Sequence, residues 1–184
     1  ASWFGSGKGT ESVYSSREHH VNVVRLKADE GNKMNLVLSL KETPGGEGRH
    51  FDHNLDSAFS SVKVEAVSGW LSYRAGYKYD VGGYEGLARV TVKGGSMTAE
   101  GDSLRITDAE EVLVLIRITP LKEARLSVRS SVQKELSGLP LDYGKLLKPH
   151  SRIHGEMFRR MQLDLGCSSD WKTVPTEKML STIH

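Results

Sequence analysis

The sequence predicts a mainly β protein, an antiparallel β-sandwich followed by helical segments. Short stretches of β-branched and apolar residues recur as far as Thr119, and glycine-containing turns rather than helices separate them. After Pro120 the spacing of apolar residues changes from two residues to three or four. We therefore expect a β-sandwich domain over residues 1–120 and a helical linker over residues 121–184.

Composition narrows the class of protein. The chain has 184 residues, of which 38% are hydrophobic and 26% charged, which suits a folded globular protein and argues against disorder. The formal net charge of +2 gives no reason to expect a nucleic-acid partner. No apolar run is long enough to predict a membrane span. The single cysteine, Cys167, excludes an internal disulfide and a cysteine-based zinc site but does not fix the compartment.

The first strands are expected after a loose start. Residues 1–10 are rich in glycine and serine and predict a loop, in which Gly5–Thr10 lacks the spacing of a phosphate-binding loop. The sandwich is expected to begin at about Val13. Residues 20–28 and 34–40 have strand patterns, and the polar turn between them favours a hairpin.

The later strands follow at regular intervals. Strand patterns cover residues 61–67, 69–76 and 87–93, and Gly101-Asp102 predicts a hairpin between two short strands. Residues 111–119 are almost wholly apolar, which is typical of a central strand buried on both faces.

A long polar loop is expected over residues 41–57. It contains His50, Asp52, His53 and Asp56, whose side chains can bind metal ions. Their spacing is irregular and no regular element holds them, so we interpret them as a solvated loop and predict no metal site. A loop of this length on a β framework can also form the rim of a substrate site.

Four aromatic residues, Trp70, Tyr73, Tyr77 and Tyr79, lie close together in the sequence. Their rings could stack on sugar rings. Aromatic side chains of strands more often pack within or over a core, and we favour that interpretation. No substrate-binding residue is assigned from this pattern.

Two helical segments are predicted after the strands. The first, from Leu121, fits a helical period only roughly and ends at Ser137-Gly138. The second, over residues 141–161, has an apolar stripe that we expect to pack on the β body, with Phe158 buried in the contact. Pro149 lies inside it and is expected to kink or divide it.

His150 and His154 stand four residues apart on the stripe, which is the spacing of two zinc ligands on a helix. The helix offers only Glu156 besides, out of the order that a zinc protease requires. We therefore expect both histidines to pack between the helix and the β body. Residues 121–160 carry nine Lys or Arg against four Asp or Glu, which we interpret as a solvated face.

The predicted linker contains an ordered series of residues: Tyr143, Leu146-Leu147, His150, His154, Phe158-Arg159 and Leu163-Asp164-Leu165-Gly166, followed by Val174 to Leu180. In order and spacing this segment resembles the linker of glycoside hydrolase family 95, the α-L-fucosidases and their relatives. The strand patterns of residues 20–40 resemble the β domain of that family. The resemblance runs loosely from about Glu11 to the end of the chain.

The resemblance implies a supersandwich-like β domain joined by the linker to a helical catalytic barrel. That barrel would begin after His184 and is absent from this chain. The start of the family's β domain is expected to be missing or replaced by the glycine-rich residues before Val13. The resemblance further implies a carbohydrate substrate for the parent enzyme, no cofactor, and a secreted or periplasmic location. It carries over no catalytic residue, because the family's catalytic residues lie in the barrel.

Catalysis by this chain itself is not predicted. Glycoside hydrolysis needs an acid and a base on a rigid frame, and no motif pairs Asp52, Asp56 or Glu85 for that chemistry. We favour a non-catalytic N-terminal fragment of a fucosidase-like glycoside hydrolase. The alternative is a free-standing sugar- or protein-binding β-sandwich, and a metallohydrolase using His150 and His154 is a minor third possibility. The sequence specifies neither the sugar nor the oligomeric state.

Overall fold

The structure, a computed structural model, confirms a mainly antiparallel β fold followed by helices. It describes residues 2–6 (backbone only), 9–41, 58–160, 174 and 178. The strands and helices are β1 (Ser2–Ser6), β2 (Gly9–Ser16), β3 (Val21–Ala28), β4 (Met34–Ser39), β5 (Phe59–Val67), β6 (Trp70–Tyr77), β7 (Gly83–Lys93), β8 (Ser96–Glu100), β9 (Ser103–Ala109), β10 (Glu111–Leu121), α1 (Arg129–Ser137) and α2 (Tyr143–Phe158).

The strands form two sheets. The smaller sheet has four strands in the order β1-β4-β9-β8, and the larger has six in the order β2-β3-β10-β7-β6-β5. Every neighbouring pair is antiparallel. The hairpin at Gly101-Asp102 is present as β8–β9. Strands β5, β6 and β7 confirm the three middle strand predictions, although β7 begins four residues earlier than its apolar alternation suggested.

The larger sheet is apolar on both faces. Its inner face packs against the smaller sheet in a core to which β3, β4, β6, β7, β9 and β10 all contribute. Its outer face packs against α1 and the start of α2 in a second core. In β10, Val112 and Val114 point to the inner core, whereas Leu113 and Leu115 point to the outer core. This alternation confirms the prediction of a central strand buried on both faces.

Helix α2 begins and ends close to where the sequence predicts, whereas α1 begins at Arg129 rather than at Leu121, because β10 extends to Leu121. Helix α1 ends at Ser137 and is followed by Gly138, as expected. Helix α2 contains Pro149 and is not divided there, and a kink at this proline stays a prediction. A proline removes one backbone donor, and the helix continues past the loss of this single hydrogen bond. Neither helix of the described chain is long and apolar enough to span a bilayer.

The apolar stripe of α2 is only partly buried. Leu146 is fully buried in the outer core, and Tyr143 packs against that core. Phe158 is 73% exposed, so the predicted burial of Phe158 is wrong. The chain divides into compact units over residues 1–150 and 151–184, and the division falls inside α2. Helical periodicity shows which residues share a face but not how far along the helix the covering surface extends.

The glycine-rich start is not a loop, contrary to expectation. Strand β1 pairs with β4, and β2 pairs with β3 from Gly9 to Ser16. Strand pairing satisfies backbone groups whatever the side chains are, so the sheet overrides the loop-like composition. At Gly9 the composition is itself explained, because a Cβ there would lie 2.5 Å from the carbonyl oxygen of Lys27.

Strands β3 and β4 do not form the predicted hairpin. They lie in different sheets, and the chain crosses between the sheets through residues 29–33, where Gly31 has a φ of 77°. Leu26 of β3 and Leu36 of β4 belong to the same inner core. Facing each other across the core buries both apolar faces, whereas the sequence pattern alone cannot distinguish this arrangement from pairing within one sheet.

The two ends of the α2 stripe should respond differently to truncation. Leu146→Ala is expected to lower the free energy of unfolding by about 2–5 kcal/mol, because it opens a cavity in the outer core. The control Phe158→Ala should change it by less than about 0.5 kcal/mol. Urea denaturation followed by circular dichroism measures both, and equal losses for the two variants would contradict the burial described above.

Candidate functional site

Among the described residues, a groove lies over the part of the larger sheet's inner face that the smaller sheet leaves uncovered. Ile118 continues the inner-face alternation of β10 and is exposed there. The groove has a volume of about 490 Å³, within the range of small-molecule sites. Its lining is mainly apolar, with a few polar residues among the aliphatic and aromatic ones; it includes Val24, Leu40, Lys41, Tyr73, Tyr84 and Ile118.

One wall of the groove continues into a row of aromatic rings, which we call the aromatic row: Tyr73, Tyr84, Phe59 and Tyr77. The Tyr73 and Tyr84 rings stack with centroids 5.5 Å apart, and the Phe59 and Tyr77 rings stack at 6.2 Å. Tyr84 joins the two pairs, 5.8 Å from Phe59 and 6.3 Å from Tyr77. Tyr73 is buried whereas Tyr77 is 39% exposed, so the row leads from the core to the surface.

The structure separates the four aromatic residues that the sequence groups together. Trp70 packs against the outer core, on the opposite face of the larger sheet from Tyr73. Tyr79 lies in the turn between β6 and β7 and is 86% exposed. The core interpretation therefore holds for Trp70 and Tyr73 but not for Tyr77 and Tyr79. Phe59 and Tyr84 complete the row, and the sequence pattern did not reveal them because they come from two other strands.

Glu85, one of the acidic residues considered for catalysis, has a structural role. Its side chain is buried, and both carboxylate oxygens accept from the Ser127 hydroxyl at 3.0 Å. One of them also accepts from the backbone N–H of Val128 at 2.8 Å. Val128 is the residue before α1 and has no side-chain group that could cap the helix. Glu85, on the neighbouring strand β7, therefore accepts a hydrogen bond from a backbone N–H group at the start of the helix.

Arg89, four residues further along β7, holds the other end of α1. Its guanidinium donates to the carbonyl oxygens of Leu136 at 2.9 Å and Ser137 at 3.1 Å. These are carbonyls of the last helical turn, where a cation is favoured by the helix dipole. Leu87, between the two charged residues, is buried in the outer core beneath α1. An anion and a cation on one strand thus fix both ends of the same helix.

The two histidines have different environments. The ring of His150 lies 4.4 Å from that of Tyr14 on β2, which confirms packing on the β body for this residue. The Tyr14 ring is also 6.0 Å from that of Tyr143, above which the Arg25 guanidinium lies at 4.5 Å. Burial, together with the nearby Tyr143 hydroxyl, raises the pKa of Tyr14 to about 12. His154 is exposed.

No metal-binding group is assembled by the histidines in the part of the chain that the structure describes. Within residues 9–41 and 58–160, no three side chains of His, Cys, Asp or Glu come together as they would around a metal ion. His50, Asp52, His53 and Asp56, in the predicted loop over residues 41–57, lie outside the described residues. The interpretation of that loop as a substrate rim stays a prediction.

Comparison with known proteins gives a structural relationship but no relationship in sequence. No family model matches the chain, and no curated protein matches it. A solved structure of a proposed kojibiose phosphorylase from the human microbiome matches with a TM-score of 0.54 at 10% sequence identity. The match covers 81% of this chain, which spans about a fifth (21%) of that protein. The chain therefore shares the fold of one region of a carbohydrate-active enzyme, and this likeness does not single out glycoside hydrolase family 95.

The capping role of Glu85 predicts a loss of stability on truncation. Glu85→Ala leaves the Ser127 hydroxyl and the Val128 N–H without their acceptor and should lower the free energy of unfolding by about 1–3 kcal/mol. Glu85→Gln keeps an acceptor oxygen and should cost less. The control is Glu100→Ala, which removes an exposed ion pair with Arg105 and should cost less than about 1 kcal/mol. Urea denaturation of the three variants measures this order, and a Glu85→Ala protein as stable as the control would contradict it.

Proposed function

We propose that this chain is the non-catalytic β-sandwich domain, with its following helices, of a larger carbohydrate-active enzyme. The observation that carries the proposal is the match of most of the described fold to about a fifth of the proposed kojibiose phosphorylase. The protein's own organisation supports it, because α1 and the start of α2 cover the outer face of the larger sheet. The resemblance of residues 143–180 to the linker of the α-L-fucosidases favours a parent enzyme with a fucosidase-like activity, secreted or periplasmic.

A non-catalytic role is supported by what the described carboxylates do. A glycosidase needs two carboxyl groups about 5–10 Å apart across the bond that is cleaved. Glu85 is committed to the start of α1, and Glu111 forms an ion pair with Arg25 at 2.6 Å. Glu65, Glu100 and Glu110 also have cationic partners. Each of these five carboxylates is held by an ion-pair or hydrogen-bond partner within this chain.

A second candidate is a free-standing binding module. The groove and the aromatic row favour it, because both are features of a ligand site and neither depends on another domain. The two candidates differ in the source of the activity. The first requires an active parent protein, whereas the second predicts that binding is the whole function.

The test compares this chain with the complete product of the gene that encodes it. Aryl α-L-fucosides, aryl galactosides, and kojibiose with phosphate are the substrates. We expect no turnover by the chain alone, with its fold verified by circular dichroism, and turnover of at least one substrate by the complete product. Turnover by the pure chain that is lost in a single carboxylate variant, such as Glu111→Gln, would contradict the non-catalytic role. A gene product no longer than this chain would favour the binding module.

A further inference from the structure

We propose that the aromatic row at the open end of the sandwich is a carbohydrate-binding site, with Tyr77 and Tyr84 as the rings on which a sugar stacks. The site deepens the proposed function and rests on it, since it assigns the β domain a carbohydrate contact of its own.

Access follows from the gradient of burial along the row. Tyr73 is buried and anchors the row in the inner core, and Tyr84 and Phe59 pack against that core. Tyr77 is the exposed end of the row, directly opposite Phe59 in the pairing of β5 with β6. Tyr84 also lines the groove. A ligand can therefore contact rings that are already held in place by the core behind them.

The chemistry of the row suits a sugar better than an alkyl chain. Three of its four members are tyrosines, and each of these three rings carries a hydroxyl that can donate and accept hydrogen bonds. A pyranose has the matching character, with C–H groups on its faces and hydroxyls around its edge. An alkyl chain would gain most from an enclosed apolar tunnel, whereas the Tyr77 end is open to water.

Polar side chains in the groove also favour a sugar as the ligand. Glu11, Asn22 and Lys41 belong to the groove lining, beside the apolar residues. The Asn22 side-chain oxygen accepts from the Ser15 hydroxyl at 2.6 Å, which leaves its amide group as a donor. Carboxylate, amide and ammonium groups are the hydrogen-bonding partners that sugar hydroxyls require. A few such groups within an apolar site are what fix the orientation of a small ligand.

The turn beyond Tyr77 is held by several hydrogen bonds. The N–H of Tyr77 donates to Gly82 O at 3.0 Å, and Val81 O accepts from the N–H of Ala124 at 2.7 Å. The Asp80 carboxylate accepts from the N–H of Val81 at 2.6 Å and from that of Gly82 at 3.4 Å. A preorganised site loses less conformational entropy on binding, which weak sugar contacts require.

The experiment titrates kojibiose, maltotriose and 2′-fucosyllactose, at millimolar concentrations, into the whole chain labelled with nitrogen-15. We expect at least one sugar to shift the backbone amide signals of residues 73–77 and 84–86. Tyr77→Leu keeps an apolar side chain but removes the ring and should weaken binding by about tenfold or more. Tyr77→Phe keeps the ring and should retain most of the affinity. Val67→Ala removes an exposed apolar side chain at the other end of β5 from Phe59 and should leave the affinity unchanged.

Four outcomes would overturn the proposal. They are no shift with any of the three sugars, shifts confined to other parts of the chain, equal affinity of the wild type and Tyr77→Leu, and an equal loss in Val67→Ala and Tyr77→Leu. The last would indicate general apolar adhesion to the protein surface. This result can be distinguished from a failure of the proposed function. If the complete gene product turns over a sugar while this chain binds none, the binding site is refuted but the chain can still be a domain of a carbohydrate-active enzyme.

Discussion

The length of helix α1 matches the spacing of two charged residues on strand β7, and the outer half of this fold depends on that match. The nine residues of α1 rise by about 13 Å, and four residues of an extended strand cover about the same distance. Glu85 and Arg89 are four residues apart on β7, so their opposite charges reach the two ends of the helix. Leu87 between them supplies the apolar contact. Satisfying both helix ends from one strand sets the position and direction of α1 on the sheet.

Once α1 is fixed, the rest of the arrangement follows. The larger sheet has two apolar faces, and each must be covered. Helix α1 and the start of α2 cover the outer face, so Leu113 and Leu115 of β10 are buried there. The smaller sheet covers most of the inner face. Among the described residues, the groove with its aromatic row lies on the remaining part of this inner face.

Sequence reasoning predicted the features that depend on local pattern. Residues 111–119 are apolar at both odd and even positions, which predicts a strand buried on both faces. Ser137-Gly138 predicts the end of α1. Features that depend on pairing between distant residues were missed. Residues Ser2–Ser6 form a strand that pairs with β4, which their own composition does not reveal. The aromatic row joins Phe59, Tyr77 and Tyr84 from three strands, and Glu85 became a helix cap because Ser127 and Val128 fold back over it. No local pattern signals either arrangement.

The division of the chain at residue 120 into a sandwich and a linker stays a prediction, and it conflicts with an α1 that is integral to the sandwich. Native-state hydrogen exchange measures this most directly, because it gives the opening free energy of each amide. We expect the amide of Leu136 in α1 and that of Val114 in β10 to open with the same free energy, within about 1 kcal/mol. If the Leu136 amide opens several kcal/mol more easily while Val114 stays protected, α1 is a separable linker and is not integral to the sandwich.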